Sequence, residues 1–383
     1  MECERRCHCC GTPLRYERFP HDRSRPARGP SPGCEIRGYY HVRRWWYGRR
    51  RPVRGVLMTR ALVCKELGLP DKLELTNDWQ LPELGPNDVR IKVAAAGLNF
   101  PDVLIIQGKY QFQPDLPFVP GGECAGVVEA VGSAVTRWSV GDEVIQMGIA
   151  SGFCESSVVN EHALLPKPKA LSMVEAAGIG VTYFTSYHAL VQRAAIQPGE
   201  TLLVLGAAGG VGSTAVELGK ALGARVIAAA SSDEKLELCK QLGADEVINY
   251  NTESLKDRIK AITDGRGVDV VYDPVGGDFS EQALRGMAWN GRFLVVGFAN
   301  GPIPKIPLNL TLLKGCSIVG VFWGRFMTEE PEAHKQNTQT LWQWFEEGKI
   351  KPVVTDVFPI EQYEEGYAAM MERRARGKVI FTF

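Results

Sequence analysis

The chain has 383 residues, 45% of them apolar, enough for two or three domains with cores of their own. Lys plus Arg and Asp plus Glu both number 44, so the net charge is zero, which argues against nucleic acid as the main partner. No apolar run approaches the ~18–20 residues of a membrane-spanning helix, which excludes a membrane partner of that kind.

The zero hides an asymmetry. Residues 1–57 hold fourteen arginines, no lysine and five acids, and half of the ten cysteines: Cys3, Cys7, Cys9, Cys10 and Cys34. The segment has neither helical nor strand periodicity. Three readings stand. One is a zinc site from Cys3, Cys7, His8, Cys9 and Cys10, although the spacings are crowded and no matched second pair follows. Another is an organelle-targeting peptide, against which Glu2, Glu4 and the scarcity of Ser count. The third is a disordered or spurious extension. Met58 stands directly before the first strand-like run, and the expectation is that the natural chain begins there. The other five cysteines are scattered, with no C-x-x-C pair. They read as reduced core thiols in a cytoplasmic protein.

From Arg60 to about Lys169 the pattern is short strands and turns. Thr59–Lys65 is a strand; Asp88–Val93 alternates polar and apolar residues, as a half-buried strand does. Gly126–Gly132 is another strand, and Gly141–Val144 a turn entering one. Pro117, Pro120, Gly121 and Gly122 mark a loop. From about Val174 the grammar changes. A helix is expected to Ala195, broken by Pro198-Gly199. Strands are expected at 201–205, 225–230, 246–249, 268–272, 292–296 and 318–322. Helices are expected after Gly212 and at 233–242, 254–262 and 284–289. A long helix follows near 333–348, and Lys378–Phe381 reads as a closing strand of the first domain. Strands alternating with helices predict a doubly wound parallel sheet, so the fold class is α/β with a β-rich second domain.

The chemistry begins after Thr201–Leu205. Ala207-Ala208-Gly209-Gly210-Val211-Gly212 follows this apolar strand and opens a helix with Val211, Ala215, Leu218 and Leu222 on one face. A Rossmann fingerprint needs small residues at a tight turn, at the approach to pyrophosphate and at the helix–strand contact. Here Ala207, Gly209 and Gly212 hold those places, giving A-x-G-x-x-G. The free N–H groups at the helix start then face the phosphates. NAD sites place Asp or Glu at the tip of the next strand. This strand ends Ala230-Ser231-Ser232, with Lys235 one turn into the helix. Hydroxyls and a lysine suit a 2′-phosphate, so the cofactor is read as NADPH. Asp233 reads as a charge on the helix N-terminus.

Taken together, several segments resemble the zinc-free quinone oxidoreductase branch of the medium-chain dehydrogenase/reductase superfamily. They are 95–102, Pro120-Gly121-Gly122-Glu123-Cys124-Ala125-Gly126, 131–133, 141–144, 207–212 and 320–324, and the resemblance covers about Met58 to Phe383. It implies a GroES-like catalytic domain over 58–180, a Rossmann NADPH-binding domain over 181–323, and a return to the catalytic domain over 324–383. Alcohol dehydrogenase relatives carry Cys where this chain has Asn99, and G-H-E where it has Gly121-Gly122-Glu123. Without those ligands no zinc is expected, and reduction of a quinone or an α,β-unsaturated carbonyl is favoured over alcohol oxidation.

The resemblance also implies site residues. Asn99 and Tyr110 are cleft-facing donors for the substrate oxygen. Asp102 is read as a loop cap. Leu104 stands where some bacterial relatives have a second cleft tyrosine, implying a more apolar pocket. Thr185 lies on the nicotinamide side, and Phe298, Ala299, Phe322 and Trp323 follow strand ends beside it. Tyr250 packs near the adenosine phosphate, and Lys378 lies near the cofactor phosphates or is a solvated strand charge. A homodimer paired through Rossmann sheet edges is implied. An enoyl thioester reductase and a non-catalytic NADPH-binding protein remain alternatives.

Overall fold

The computed structural model describes residues 57–383. The readings made for the arginine-rich N-terminal segment lie outside these residues.

The strands β1 (Met58–Cys64) and β2 (Leu73–Gln80) form an antiparallel pair. β3 (Asp88–Leu98) is longer than its alternating stretch, because Ala95, Ala96 and Gly97 pair with a neighbour on each side. It leads into α1 (Phe100–Ile105). Then come β4 (Glu123–Val131), β5 (Glu143–Met147), β6 (Ser156–Asn160) and β7 (Leu164–Pro166). The single helix expected from Val174 to Ala195 is in fact three pieces. α2 (Met173–Ala176) ends in a turn at Gly178, α3 (Gly180–Tyr187) follows, and His188–Arg193 winds as a π-helical turn. Periodicity runs through all three, and only the backbone breaks separate them.

The second sheet is built as its alternation predicts. β8 (Thr201–Leu205), α4 (Gly210–Ala221), β9 (Arg225–Ala230), α5 (Asp233–Gln241), β10 (Glu246–Asn249), α6 (Leu255–Ile262) and β11 (Val268–Asp273) succeed one another. α7 (Asp278–Arg285), β12 (Met287–Val295), α8 (Asn309–Lys314) and β13 (Ser317–Gly320) complete it. The six strands are parallel, in the order β10-β9-β8-β11-β12-β13. The order reverses between β8 and β11, which opens a crevice at their carboxyl ends. All five residues of β8 are buried. Leu202 and Val204 enter the core against α3 and α4, and Leu203 and Leu205 enter the core on the other face. A strand covered on both faces therefore reads as an unbroken apolar run.

Residues 284–289 do not form the expected helix. α7 lies earlier and stops at Gly286, and Met287–Trp289 belong to β12. A register shift between Val268 and Val270 of β11, with Asn290 at φ +60°, carries that strand past its neighbour. Leu284, Met287 and Ala288 have helical spacing, but the bulge puts them on two elements.

After β13 come α9 (Trp323–Glu329), which the sequence reading missed, and α10 (Pro331–Glu346). α10 sends Leu341 and Phe345 into the same core as α3 and β8. β14 (Val354–Pro359), α11 (Tyr363–Met371) and β15 (Lys378–Thr382) close the chain. β15 pairs antiparallel with β3, so the terminal strand joins the first domain's sheet, ordered β14-β15-β3-β4-β5-β7 with β6 also on β3.

Candidate active site

The glycine loop sits at the carboxyl end of β8, beside the crevice. Its left-handed turn falls at Gly206 (φ +57°), one residue before the fingerprint's first place. A Cβ there would also lie 2.8 Å from Val275 Cγ2. Ala207 is therefore free to be alanine: it is buried, and its N–H donates to Ala229 O at 3.0 Å. Gly212 is the packing glycine, since a Cβ on it would lie 2.1 Å from Gly206 O. Gly209 caps α4, and the helix's first backbone bond runs from Ser213 N–H to Gly209 O at 2.8 Å. The N–H groups of Gly210, Val211 and Gly212 are thus left at the open end of the helix, a ready anion site. Behind them, Ser186 Oγ contacts Val211 O (3.0 Å), Thr214 Oγ1 (2.8 Å) and Tyr272 Oη (2.8 Å), tying α3, α4 and β11 together. Thr185, next along α3, is partly exposed.

At the tip of β9 the expected residues converge. Lys235 Nζ donates to Ser231 Oγ (3.2 Å) and to the Arg373 carbonyl (2.6 Å), and Ser232 caps α5. Burial lowers the Lys235 pKa, and the charges of Arg373 and Arg376 lower it further, against the pull of Glu234. Tyr250 packs on Phe279 at 4.3 Å; burial raises its pKa, opposed by Ser231 and Arg373. Asp233 is held by Asn249 Nδ2 at 2.8 Å. Arg376 pairs with Glu234 at 2.6 Å. The arginines come from the α11–β15 loop, about 138 residues further on, so no local pattern pointed to them.

The first-domain side holds a buried charged network. Lys378 Nζ lies 2.5 Å from Glu123 Oε1 and 2.6 Å from Asn99 Oδ1. Asn99 Nδ2 donates to Glu123 Oε1 at 2.8 Å and lies 3.4 Å from Gly97 O. Glu123 Oε2 accepts the Val181 N–H at 2.9 Å. Glu123 is 0% exposed, Lys378 5% and Asn99 6%. Two expectations change. Asn99 does not present its amide to the cleft, because its hydrogens are directed at Glu123 and Gly97. Lys378 is neither a solvated charge nor aimed at phosphates, because its ammonium is turned inward onto a carboxylate. Its neighbour Gly377 does reach the glycine loop, donating to Ala208 O at 2.7 Å. Asp102 accepts the N–H groups of Asn99 (2.8 Å) and Gly122 (3.0 Å), a loop-tying role. Burial pushes its carboxyl up to about 7, against those bonds and the Lys378 charge. Glu123, central to this network, was visible only as part of the Pro120–Gly126 motif.

Across the cleft, Tyr110 stands 6.4 Å from Phe112, and Phe112 6.3 Å from Phe322. Burial and the Asp102 charge raise the Tyr110 pKa, so its hydroxyl keeps its proton and can donate. Phe322 lies beyond β13, just before α9, not within the strand. Trp323 departs from expectation. Its ring stacks on Phe184 (5.7 Å, 4°) and meets His334 edge-on, so it packs between α3 and α10. Phe298 packs over Gly276 and lines a 180 Å³ cavity with Phe293, Ile303 and Ile318. Ala299 is exposed, its N–H bonded to Pro274 O at 3.0 Å. Among the described residues no three His, Cys, Asp or Glu side chains gather as metal ligands.

Residues 85–200 match the family described as "Alcohol dehydrogenase GroES-like domain", and residues 210–346 that described as "Zinc-binding dehydrogenase". The quinone oxidoreductase-like protein 2 homolog of Nematostella vectensis is 40% identical over 84% of this chain and 88% of that protein. The quinone oxidoreductase of Pseudomonas syringae superposes with a TM-score of 0.79 at 32% identity, over 85% of this chain and all of that one. The Escherichia coli quinone oxidoreductase, solved in complex with NADPH, gives 0.77 at 29% over the same shares. With a parallel nucleotide-type sheet, a GroES-like partner and relatives of this closeness, the chain belongs to the quinone oxidoreductase branch of the medium-chain dehydrogenase/reductase superfamily, a family of oxidoreductases.

Proposed function

We propose that this protein is an NADPH-dependent reductase that passes hydride to a quinone or an α,β-unsaturated carbonyl without a metal. The observation that carries the cofactor reading is the tip of β9, where Ser231, Ser232 and Lys235 meet, the Arg373 carbonyl holds the Lys235 ammonium, and Asp233 is held by Asn249. Such a set favours a 2′-phosphate and lacks the carboxylate that would bind a free ribose hydroxyl. The N–H groups of Gly210, Val211 and Gly212, past Gly209, would hold the pyrophosphate. Ala207 would support that loop, and Tyr250 would flank the adenosine phosphate. Thr185, Phe298 and Ala299 border the nicotinamide side in this reading. When bound, the cofactor supplies the hydride.

The chain's own part is to orient the acceptor and stabilise charge on its oxygen. Tyr110 is the donor we assign, because it is partly buried, its hydroxyl keeps its proton, and it stands beside Phe112, which meets Phe322 of the other domain. Asn99, standing where alcohol dehydrogenase relatives carry Cys, acts by position: its amide holds Lys378 and Glu123. Lys378 supplies the positive charge against Glu123. Asn99 and Gly122, in the places of the Cys and His of zinc-dependent relatives, support chemistry without zinc. The balance is then one hydride and one solvent proton added to the quinone, giving the hydroquinone.

We also propose a homodimer and a cytoplasmic location. Edge strand β13 carries Ile318, and nearby Leu308, Leu312 and Trp289 are 77%, 80% and 72% exposed, an apolar patch suited to burial against a second copy. The five described cysteines are free thiols, four of them buried, as suits a reducing compartment. No described helix is long and apolar enough to cross a membrane.

The test is titration with NADPH and NADH, then turnover against quinones, enones and enoyl-CoA esters. Preferred NADPH binding with oxidation by quinones or enones is expected. Equal NADH affinity refutes the phosphate site. Turnover of enoyl-CoA alone points to a thioester reductase, and no turnover to a binding protein.

A further inference from the structure

The loop 372–377 joins α11 to β15, so both of its ends belong to the GroES-like domain. Tyr367 before it and Val379 and Phe381 after it lie in one buried core. The contacts of the loop itself go to the other domain. The Gly377 N–H donates to Ala208 O of the glycine loop at 2.7 Å. Arg376 Nη1 donates to Glu234 Oε1 at 2.6 Å, and the Arg373 carbonyl accepts Lys235 Nζ at 2.6 Å, both in the first turn of α5. The Arg373 guanidinium lies 3.4 Å from Asn300 O, just past Phe298 and Ala299. These contacts join protein to protein and owe nothing to a bound group. They touch the glycine loop, the tip of β9 with its helix, and the segment after β12.

We propose that loop 372–377 is a latch over the dinucleotide groove that gates both entry and exit of the cofactor, with the Arg376–Glu234 ion pair as its releasable fastening. The proposal rests on the cofactor reading above and deepens it. A dinucleotide in a doubly wound sheet spans the same stations: a strand tip, the glycine loop and the strand ends beyond the switch point. A loop bonded at each of them has to lift before so long a ligand can pass. The fastenings suit repeated opening. The ion pair is open to solvent on both sides, with Arg376 43% and Glu234 74% exposed. Exposed pairs hold weakly one at a time, so this one breaks readily with every exchange of cofactor. The buried core at both ends of the loop returns it to the same place. Loop opening of this kind sets the exchange rate of many enzyme ligands. Arg376 and Glu234 are thus positioning residues, which act on the cofactor through the loop and α5.

Charge alone predicts the opposite of gating, which makes the pair decisive. Glu234 is a negative charge felt at Lys235. As a mere charge, its loss slows the release of an anionic cofactor; as a fastening, its loss speeds release. Loss of Arg376 as a mere charge slows capture of the anion; as a fastening, its loss speeds capture. Stopped-flow fluorescence measures NADPH association and dissociation on the full chain. The variants are Glu234→Gln, Arg376→Gln, and the exchanged pair Glu234→Arg with Arg376→Glu. Both side chains are exposed, and a thermal midpoint near the parent's verifies folding. Each single variant is expected to raise both rates about threefold and leave Kd within about twofold. The exchanged pair returns both rates to within about twofold of the parent. Slower release from Glu234→Gln, slower capture by Arg376→Gln, or unchanged rates overturns the latch. The same series with NADH separates this proposal from the cofactor reading. Equal NADH and NADPH affinity with faster rates in the variants keeps the latch and refutes the phosphate site. NADPH preference with unaltered rates does the reverse, and a parent that binds neither dinucleotide overturns both.

Discussion

Replacing Lys378 with Met leaves the Glu123 carboxylate in a fully buried site without its cation. Breaking a buried ion pair from one side costs about 3–5 kcal/mol, because the remaining charge stays desolvated and uncompensated. Glu123 retains two donors, Asn99 Nδ2 at 2.8 Å and the Val181 N–H at 2.9 Å, so the low end, about 3 kcal/mol, is expected. Glu123→Met strands the ammonium instead and is expected to cost a similar amount. Replacing both residues by Met removes both charges and their desolvation, so the double variant regains much of the loss, with a coupling of at least about 2 kcal/mol. Urea unfolding of the four proteins, compared at constant m-value, measures this cycle. Additive losses, or a Lys378→Met cost under about 1 kcal/mol, would show that the pair is solvated and the buried network is not as described.

Three further outcomes follow from other parts of the molecule. Lys235→Ala is expected to weaken NADPH binding about tenfold and leave NADH binding near its parent value, since only the former carries the 2′-phosphate; isothermal titration compares the two, and parallel losses count against the assignment. Gly206→Ala forces an alanine to φ +57° with its Cβ 2.8 Å from Val275 Cγ2, so a loss of about 1–2 kcal/mol is expected in thermal unfolding. Glu217 is pushed up to about 7 by burial, against hydrogen bonds from Tyr183 Oη (2.5 Å) and the Lys351 N–H (2.6 Å). The folded state therefore holds this proton between the ordinary carboxylate range and about pH 7 while the unfolded chain has lost it. Stability falls across that window as pH rises, and then levels. Glu217→Gln abolishes the fall; a parent and variant with parallel stability–pH curves would refute the assignment.

The sequence disclosed what is local. Thr201–Leu205 reads as a doubly covered strand because burial on both faces leaves no polar position. The helix after Gly212 follows from its apolar spacing, and Ser231, Ser232 and Lys235 meet because a strand tip and the next helix's first turn are always adjacent. The same locality misled at 284–289, where helical spacing crosses from α7 into a bulged strand, and at 174–195, where one periodicity runs through three backbone segments. It also placed the fingerprint's turn at Ala207, although the left-handed residue is Gly206.

What only the tertiary structure decided is which distant groups meet. Lys378 is 255 residues from Glu123 and 279 from Asn99, and its charge turns inward because β15 lays it against β3 beside that carboxylate. Arg373 reaches Lys235 from the α11–β15 loop, Trp323 turns from the cleft to stack on Phe184, and Phe112 meets Phe322 across two domains. A spacing rule reports the neighbours a helix or strand imposes on its own residues. It carries no record of which side chain from another element will fill the space beside them, and in this protein the buried ion pair and the surroundings of Lys235 are both set by such meetings.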